Sequence, residues 1–439
     1  MSHGNEFREF IDILDGRGEL VRIEKSVNPR FEVAQKIFEC QRSINKAILF
    51  EKVEGYDIPI ISNILPSRRI ISLALGVPED AVLDEWAQRE AHSQKKTEAS
   101  GGACKEEVLL ADEADLHRLP IVTHYERDGG PYVTGGILIF RKNGVENASY
   151  NRMQLADRKK LRLRLDPGLS HAGIFHSERE KSGKGLDAAV CIGNHPHIML
   201  AAAAKIPIDC DELDFAGGLR GESLEVVRCE TVDVDIPADT EIVIEGKILP
   251  SVREKEGPFG DFLGYYEYTE KAHIFEVTAI TSRKSPIYQT ILAGGAEELS
   301  LYVSIEAEVY KSIKKCGLSV KDVRVNSSPC HYVVAIYKQS EDDPRIAISE
   351  AFRGHPWVKV CTVVDQDVDI SNSEDVMWAI STRLDPRHGI FIGDREHEPV
   401  ERFDPTQGML VEKGKLGLDA TVKLTEKDKF LRTEVKRKT

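Results

Sequence analysis

The chain has 439 residues, 41% of them hydrophobic and 30% charged, with a formal net charge of −14. That length and balance fit a globular protein of two or three domains with a sizeable core. The acidic excess argues against a nucleic-acid partner, because such a binder must neutralise phosphates with a basic surface.

Phe7, Phe10, Ile11, Ile13 and Leu14 recur at helical spacing, and Gly16 and Gly18 stop that helix. Leu20 to Ile23 reads as a strand and Phe31 to Cys40 as a helix. Ala47-Phe50 and Ile58-Ile61 read as strands, then Ser67-Leu75 and Pro78-Arg89 as helices. The polar, glycine-bearing stretch from Ser93 to Glu107 marks a linker or boundary. From about residue 108 short strands crowd together: Tyr132-Phe140, the strictly alternating Leu161-Leu165, Ala188-Ile192, Val226-Val234, Thr240-Glu245 and Ile274-Thr281. Such density suggests a barrel or sandwich. Past residue 300 helices and strands alternate again. Leu299-Ile313 reads as a helix, Tyr332-Ile336 and Val358-Val364 as strands, and Ser371-Asn-Ser-Glu374 as a capping box opening a helix through Arg383.

Eight cysteines, at 40, 104, 191, 210, 229, 316, 330 and 361, include no C-x-x-C pair, which excludes a zinc ribbon or thioredoxin motif. Several sit in apolar runs such as Ala189-Val190-Cys191-Ile192, as buried reduced thiols do, and a reducing cytoplasm fits. Residues 1–5 are polar, and the longest apolar run, Ile198 to Ala204, is far too short to span a bilayer. The expectation is a cytoplasmic protein, neither secreted nor in a membrane. The basic tail, Arg432 and Lys436-Arg437-Lys438, reads as a solvated terminus.

Four stretches could carry chemistry. Glu256-Gly257-Pro258-Phe259-Gly260-Asp261 reads as a stiff turn that fixes two acids beside aromatic residues. An apolar wall raises a carboxyl pKa, which suits acid/base work, although an ordinary hairpin with two solvated acids fits the same residues. Asn147-Ala-Ser-Tyr-Asn-Arg152 sits on a strand that could aim an amide oxygen at a metal and a guanidinium into a pocket, or simply form a polar edge. His171, after Ser170, is placed in a loop following the strand that contains Leu165. In Asp211-Glu212-Leu213-Asp214-Phe215-Ala216-Gly217-Gly218-Leu219-Arg220-Gly221 the acids could cap a turn, and the glycines could let backbone approach a cofactor.

Read together, these pieces resemble the UbiD family of prenylated-flavin decarboxylases. The resemblance rests on the order Asn-x4-Arg, Ser-His, Glu-x2-Phe-Ala-Gly-x-Leu-Arg-Gly and Glu-Gly-Pro-x-Gly-Asp. It is supported by His124-Tyr-Glu-Arg-Asp-Gly-Gly-Pro131, Asp367-Val-Asp369, Trp378-Ala379 and Gly417-Leu-Asp-Ala-Thr421. It spans nearly the whole chain and implies three parts. These are an α/β unit at 1–107, a split β-barrel that binds prenylated FMN at 108–298, and a C-terminal α/β unit with an oligomerisation tail at 299–439.

The resemblance also implies roles. Asn147, His171 and Glu212 match the family's ligands for a divalent metal, usually Mn²⁺, that bridges to the flavin phosphate. That donor set suits Mn²⁺ or Mg²⁺ better than zinc, and K⁺ often accompanies it. Glu230 is a rival acid. Tyr150, Asn151, Arg152 and Arg164 would line the flavin with Ser170 and His171, and Lys359 resembles a lysine that reaches its phosphate. Arg152, Glu256 and Asp261 fall on the family's acid–arginine–acid network: Arg152 grips the substrate carboxylate, Glu256 steadies Arg152, and Asp261 protonates the carbon after CO₂ leaves. The prenylated flavin would be the electron sink that no side chain can provide.

The implied partners are a small unsaturated carboxylate, aromatic, heteroaromatic or alkenyl, and a flavin prenyltransferase that supplies the cofactor. A homo-oligomer, dimer or hexamer, is expected. One alternative is the archaeal branch, which decarboxylates anhydromevalonate phosphate on a route to isoprenoids. The basic run Arg158, Lys159, Lys160, Arg162 and Arg164 would suit that phosphate, or is a solvated strand. An alternative of another class is a non-catalytic flavin-binding or storage protein. The intact Arg152, Glu256 and Asp261 set speaks against it.

Overall fold

The computed structural model describes residues 6–165, 170–393 and 414–433. It divides into two compact units, residues 1–301 and 302–439. In the first unit α1 (Phe7–Gly16) buries Phe7, Phe10, Ile11 and Leu14 along one face, as their spacing requires. Then come β1 (Leu20–Ile23), α2 (Glu32–Ser43), β2 (Ala47–Phe50), β3 (Ile60–Ser62), α3 (Arg68–Leu75) and α4 (Val82–Glu90).

The stretch read as a linker is anchored. Within it β4 (Thr97–Glu98) runs parallel to the later strand Glu225–Arg228, and Gln94 N–H donates to Asp214 O at 3.0 Å. The chain continues through β5 (Glu107–Leu110), β6 (Tyr132–Val133), β7 (Ile137–Lys142), β8 (Val145–Tyr150), β9 (Met153–Asp157) and β10 (Lys160–Leu163). Next are α5 (His171–Glu180), β11 (Leu186–Ile192), α6 (Pro196–Ala203), α7 (Glu212–Arg220), β12 (Glu225–Arg228) and β13 (Asp235–Pro237). Two long strands follow, β14 (Ile242–Gly260) and β15 (Tyr266–Ser282), then β16 (Tyr288–Gln289) and α8 (Ala296–Leu301). The expected strand at 226–234 stops at Arg228.

Nine strands form one curled sheet, a half-barrel, in the order β6-β9-β10-β15-β14-β11-β7-β8 with β5 added beside β15. Its inner face packs Leu138, Phe140, Val190, Ile192, Ile244 and Phe275, all fully buried. β16 crosses back to complete the small sheet β1-β2-β3-β16. The β14–β15 hairpin is the spine of the half-barrel, and four register shifts bend it.

Two of those shifts, between Glu254 and Glu256 and between Glu256 and Phe259, correct the expected turn. Glu256 to Gly260 lies inside β14, and the reversal comes one residue later. Asp261 N–H donates to Tyr265 O at 2.9 Å, and Gly264, at φ +80, donates to Asp261 O at 2.9 Å. Gly257 sits at φ +101, and a Cβ there would lie 2.8 Å from Glu267 O and from Tyr268 Cα, so only glycine fits.

The second unit contains α9 (Val303–Lys315), β17 (Val320–Asn326), β18 (Ser328–Ile336), α10 (Asp343–Gly354), β19 (Val360–Asp365), α11 (Ser373–Arg383), β20 (Ile390–Ile392) and β21 (Leu416–Ala420). The sheet order is β17-β18-β19-β21-β20. The helix expected over 299–313 is two helices that break at Tyr302. Asn372, not Ser371, caps α11, its side chain accepting from Glu374 N–H at 2.9 Å. Arg432 is pinned, against the expectation of a solvated tail: it pairs with Asp375 at 2.6 Å and stacks over Trp378. Residues 436–438 lie outside the described residues. Among the described residues no helix is long and apolar enough to cross a membrane.

Candidate active site

Three elements of the first unit bring Asn147, His171 and Glu212 together. Asn147 is on β8, and Glu212 opens α7, whose N-cap Asp211 accepts from the Leu213 and Asp214 N–H groups. His171, expected in a loop, opens α5. Ser170 is its N-cap, with Oγ accepting from Gly173 N–H at 3.0 Å. Asn147 Nδ2 lies 2.5 Å from His171 Nδ1 and 2.7 Å from Glu212 Oε1, and those two atoms are 3.6 Å apart. Asn147 Oδ1 is buried with no hydrogen-bond partner.

A half-turn of the amide exchanges its two ends and sends Oδ1 between the imidazole and the carboxylate. Three donors, oxygen, nitrogen and oxygen, then converge on one point. A hard divalent cation with open positions fits that set. Burial pushes the Glu212 carboxyl up while His171 draws it down, as expected of a buried anion that lacks a full countercharge. Among the described residues no three His, Cys, Asp or Glu side chains are placed to hold a metal ion, so a site here draws its third donor from an amide. Glu230 is elsewhere: it is exposed and pairs with Lys105 at 2.7 Å.

A lysine from the presumed linker backs this trio. Lys96 Nζ contacts Glu146 Oε2 at 2.5 Å and also Asp211 Oδ2. Glu146 precedes Asn147 and Asp211 precedes Glu212, and Glu146 N–H donates to Asp211 Oδ2 at 2.9 Å. The backbone N–H of Lys96 adds a bond to Asp214 Oδ1 at 2.8 Å. The glycines of α7 serve the same docking. A Cβ on Gly217 would lie 2.8 Å from Gln94 O, and one on Gly218 3.0 Å from His92 O. Sequence reading missed Lys96; the adjacent cations Lys95 and Lys96 inside a polar stretch were the available signal.

A second cluster surrounds Arg152, just past the end of β8. Its Nη1 donates to Asp261 Oδ2 at 2.8 Å and Glu267 Oε2 at 3.2 Å, and its Nη2 to Glu256 Oε2 at 3.1 Å. Tyr132 O–H donates to Glu256 Oε1 at 2.9 Å, and the guanidinium sits 5.0 Å from the centre of the Phe259 ring. In a regular strand residues five apart point to opposite faces. The two bulges in β14 remove that mismatch, so Glu256 and Asp261 reach the same guanidinium. Burial lifts the Asp261 carboxyl to about 6, Glu267 adds to the rise, and Arg152 and Arg164 oppose it. Glu267 is a member of this cluster that the motifs did not reveal.

Of the remaining candidates only Arg164 joins the second cluster. Tyr150 ends β8 with a buried hydroxyl, and Asn151 Nδ2 donates to Ser149 Oγ at 3.0 Å. Arg164 pairs with Glu267. The basic run around it is largely neutralised within its own unit, Arg162 by Glu254 at 2.9 Å and Arg158 by Asp115 at 3.7 Å. Lys359 belongs to the second unit, beside β19, where its N–H donates to Cys330 O.

Sequence profiles of 3-octaprenyl-4-hydroxybenzoate carboxy-lyase match three consecutive stretches: its N-terminal domain at 11–90, its Rift-related domain at 95–296 and its C-terminal domain at 300–420. The chain belongs to the UbiD family. Anhydromevalonate phosphate decarboxylase of Methanosarcina mazei is 34% identical over 97% of this chain and 98% of its own. The enzyme of that name from Methanothermobacter thermautotrophicus is 33% identical over 97% and 99%. Among solved structures, the UbiD-class enzyme HmfF of Pelotomaculum thermopropionicum, in an evolved dimeric form in complex with prFMN, superposes with a TM-score of 0.89. It is 34% identical over 98% of this chain and 97% of its own. The apo 3,4-dihydroxybenzoic acid decarboxylase of Enterobacter cloacae superposes at 0.88, with 25% identity over 99% and 98%. The expected recognition, the mixed α/β fold with its half-barrel and the carboxy-lyase activity are borne out: this is a UbiD-family decarboxylase.

Proposed function

We propose that this UbiD-family chain removes CO₂ from an α,β-unsaturated carboxylic acid of the anhydromevalonate phosphate type, with prenylated FMN and a divalent metal. The observation that carries the catalytic part is the buried Arg152 cluster, which pairs a carboxylate-gripping guanidinium with an acid poised near neutrality. Two curated relatives of that name, matched along nearly their whole lengths, support the substrate class. Prenylated FMN, when bound, supplies the electron sink that decarboxylation at an sp² carbon requires.

The chain's own residues do the rest. Asn147, His171 and Glu212 would hold the metal, Mn²⁺ or Mg²⁺ with K⁺ as companion, and Ser170, beside His171, would serve the same cofactor. Tyr150, Asn151 and Arg164 belong to the flavin wall. Arg152 orients the substrate carboxylate, and Glu256, fixed by Tyr132, keeps the guanidinium from following the leaving CO₂. Asp261 gives its proton to the carbon and regains one from solvent. A homo-oligomer, dimer or hexamer, and a flavin prenyltransferase as cofactor supplier complete the proposal. The unpaired cysteines, six of them buried, support a reducing cytoplasm.

The test is a decarboxylation screen of protein reconstituted with prenylated FMN and Mn²⁺, setting phosphorylated alkenyl acids against aromatic acids. Turnover of the phosphorylated acids alone is expected. Turnover confined to aromatic acids would reassign the substrate, and tight flavin binding with no turnover would favour the storage alternative.

A further inference from the structure

Glu267 has no part in the reading above. It lies on β15 opposite Phe259 of β14, with its side chain 5% exposed. Its Oε2 accepts from Arg152 Nη1 at 3.2 Å and from Arg164 Nη1. The same Arg152 nitrogen donates to Asp261 Oδ2 at 2.8 Å, so the two carboxylate oxygens are within about 6 Å of each other, close enough for like charges to resist joint ionisation.

The charges around Asp261 come from every element packed on it. Arg152 follows β8, Arg164 follows β10, Glu256 is on β14, Glu267 is on β15, and Asp128, before β6, accepts from Gly260 N–H at 2.8 Å. The carboxylates of Glu256, Asp261 and Glu267 thus crowd the single guanidinium of Arg152, and a proton on one of them relieves that crowding. Glu256 has both oxygens engaged, by Tyr132 and Arg152. Glu267 is shared between two arginines. Asp261 Oδ1 is buried with no hydrogen-bond partner, so a proton placed there breaks none of the cluster's bonds.

We propose that Glu267 is a positioning residue: with Arg164 it fixes Arg152, and its charge enlarges the protonated fraction of Asp261 that serves as donor. The inference rests on the reading of Asp261 as proton donor. The direction of the Asp261 shift, with Glu267 raising it and Arg164 lowering it, agrees.

Two variants should move Asp261 in opposite senses. The readout is an infrared titration of the protonated-carboxyl band in flavin-free protein, the Asp261 band being the one lost in Asp261→Asn. Glu267→Gln is expected to lower the midpoint by roughly one pH unit, and Arg164→Gln to raise it by a similar amount. In the holoenzyme the alkaline limb of kcat/KM should follow, with Glu267→Gln about tenfold slower than wild type at pH 8. Midpoints that do not move, or that both move the same way, overturn the proposal, since a merely structural role gives no sign reversal. Should Glu267→Gln fail to fold, Arg164→Gln decides alone by rising or not. The titration uses no substrate, so it stands even if the decarboxylase reading fails.

Discussion

Replacing Asp261 by Asn should make the protein inactive and, at neutral pH and above, more stable. The Asp261 carboxyl rises from an ordinary 3.8 to about 6, chiefly because it is buried. The folded state therefore holds its proton more tightly than the unfolded state. On this group's account stability is fully present below 3.8 and is lost as pH rises through about 6. The loss comes to about 3 kcal/mol at pH 8 and about half that at pH 5. Asn keeps the shape and an acceptor for Arg152 but carries no charge, so it escapes the loss. Urea-induced unfolding of the flavin-free proteins, compared across pH 5 to 8, should show a gap in favour of the variant that widens with pH. Differences between the proteins are safer than absolute values here, because a chain with two compact units need not unfold in one step. A gap that stays flat, or a variant less stable than wild type at pH 8, would refute the argument that ionising the buried Asp261 carboxyl costs the fold stability.

Three further outcomes follow from the same geometry. Glu212→Gln should weaken Mn²⁺ affinity roughly 10- to 100-fold by titration calorimetry, while Glu230→Gln, whose carboxylate pairs with Lys105, should leave it unchanged. Lys96→Met should also cost roughly 10- to 100-fold in metal affinity without touching a ligand, and Lys96→Arg should recover part of it. Arg152→Lys should lower kcat/KM roughly 100- to 1,000-fold, because a single ammonium cannot serve three carboxylates and a substrate with a guanidinium's geometry.

Much of this was legible in the sequence where local rules govern. The spacing of Phe7, Phe10, Ile11 and Leu14 gives α1, and the alternation of Leu161 to Leu165 gives a half-buried β10. The motif residues that meet at the two clusters are legible through the resemblance to the UbiD family, since the local pattern alone leaves each of them a structural alternative. What escaped depends on contacts distant in sequence. Glu256 to Gly260 looks like a turn from its glycines and proline, yet partners on β15 hold it extended, with bulges no local rule locates. Glu267 carries no motif, and only hairpin register places it against Arg152. Lys96 sits in a stretch whose composition suggests a tether, and its partners lie 50 and 115 residues away in the chain.

That lysine bears on how the protein can be dissected. Composition invites a cut between residues 93 and 107, and a fragment begun at residue 108 would retain Asn147, His171 and Glu212. It would also leave Glu146 and Asp211 as buried acids facing each other with their shared cation removed. Such a fragment should pull β8 and α7 apart and bind neither metal nor flavin, whereas one begun at residue 92 should keep the clamp. The first visible break in the sequence is thus a suture, and the metal centre is among the things it closes.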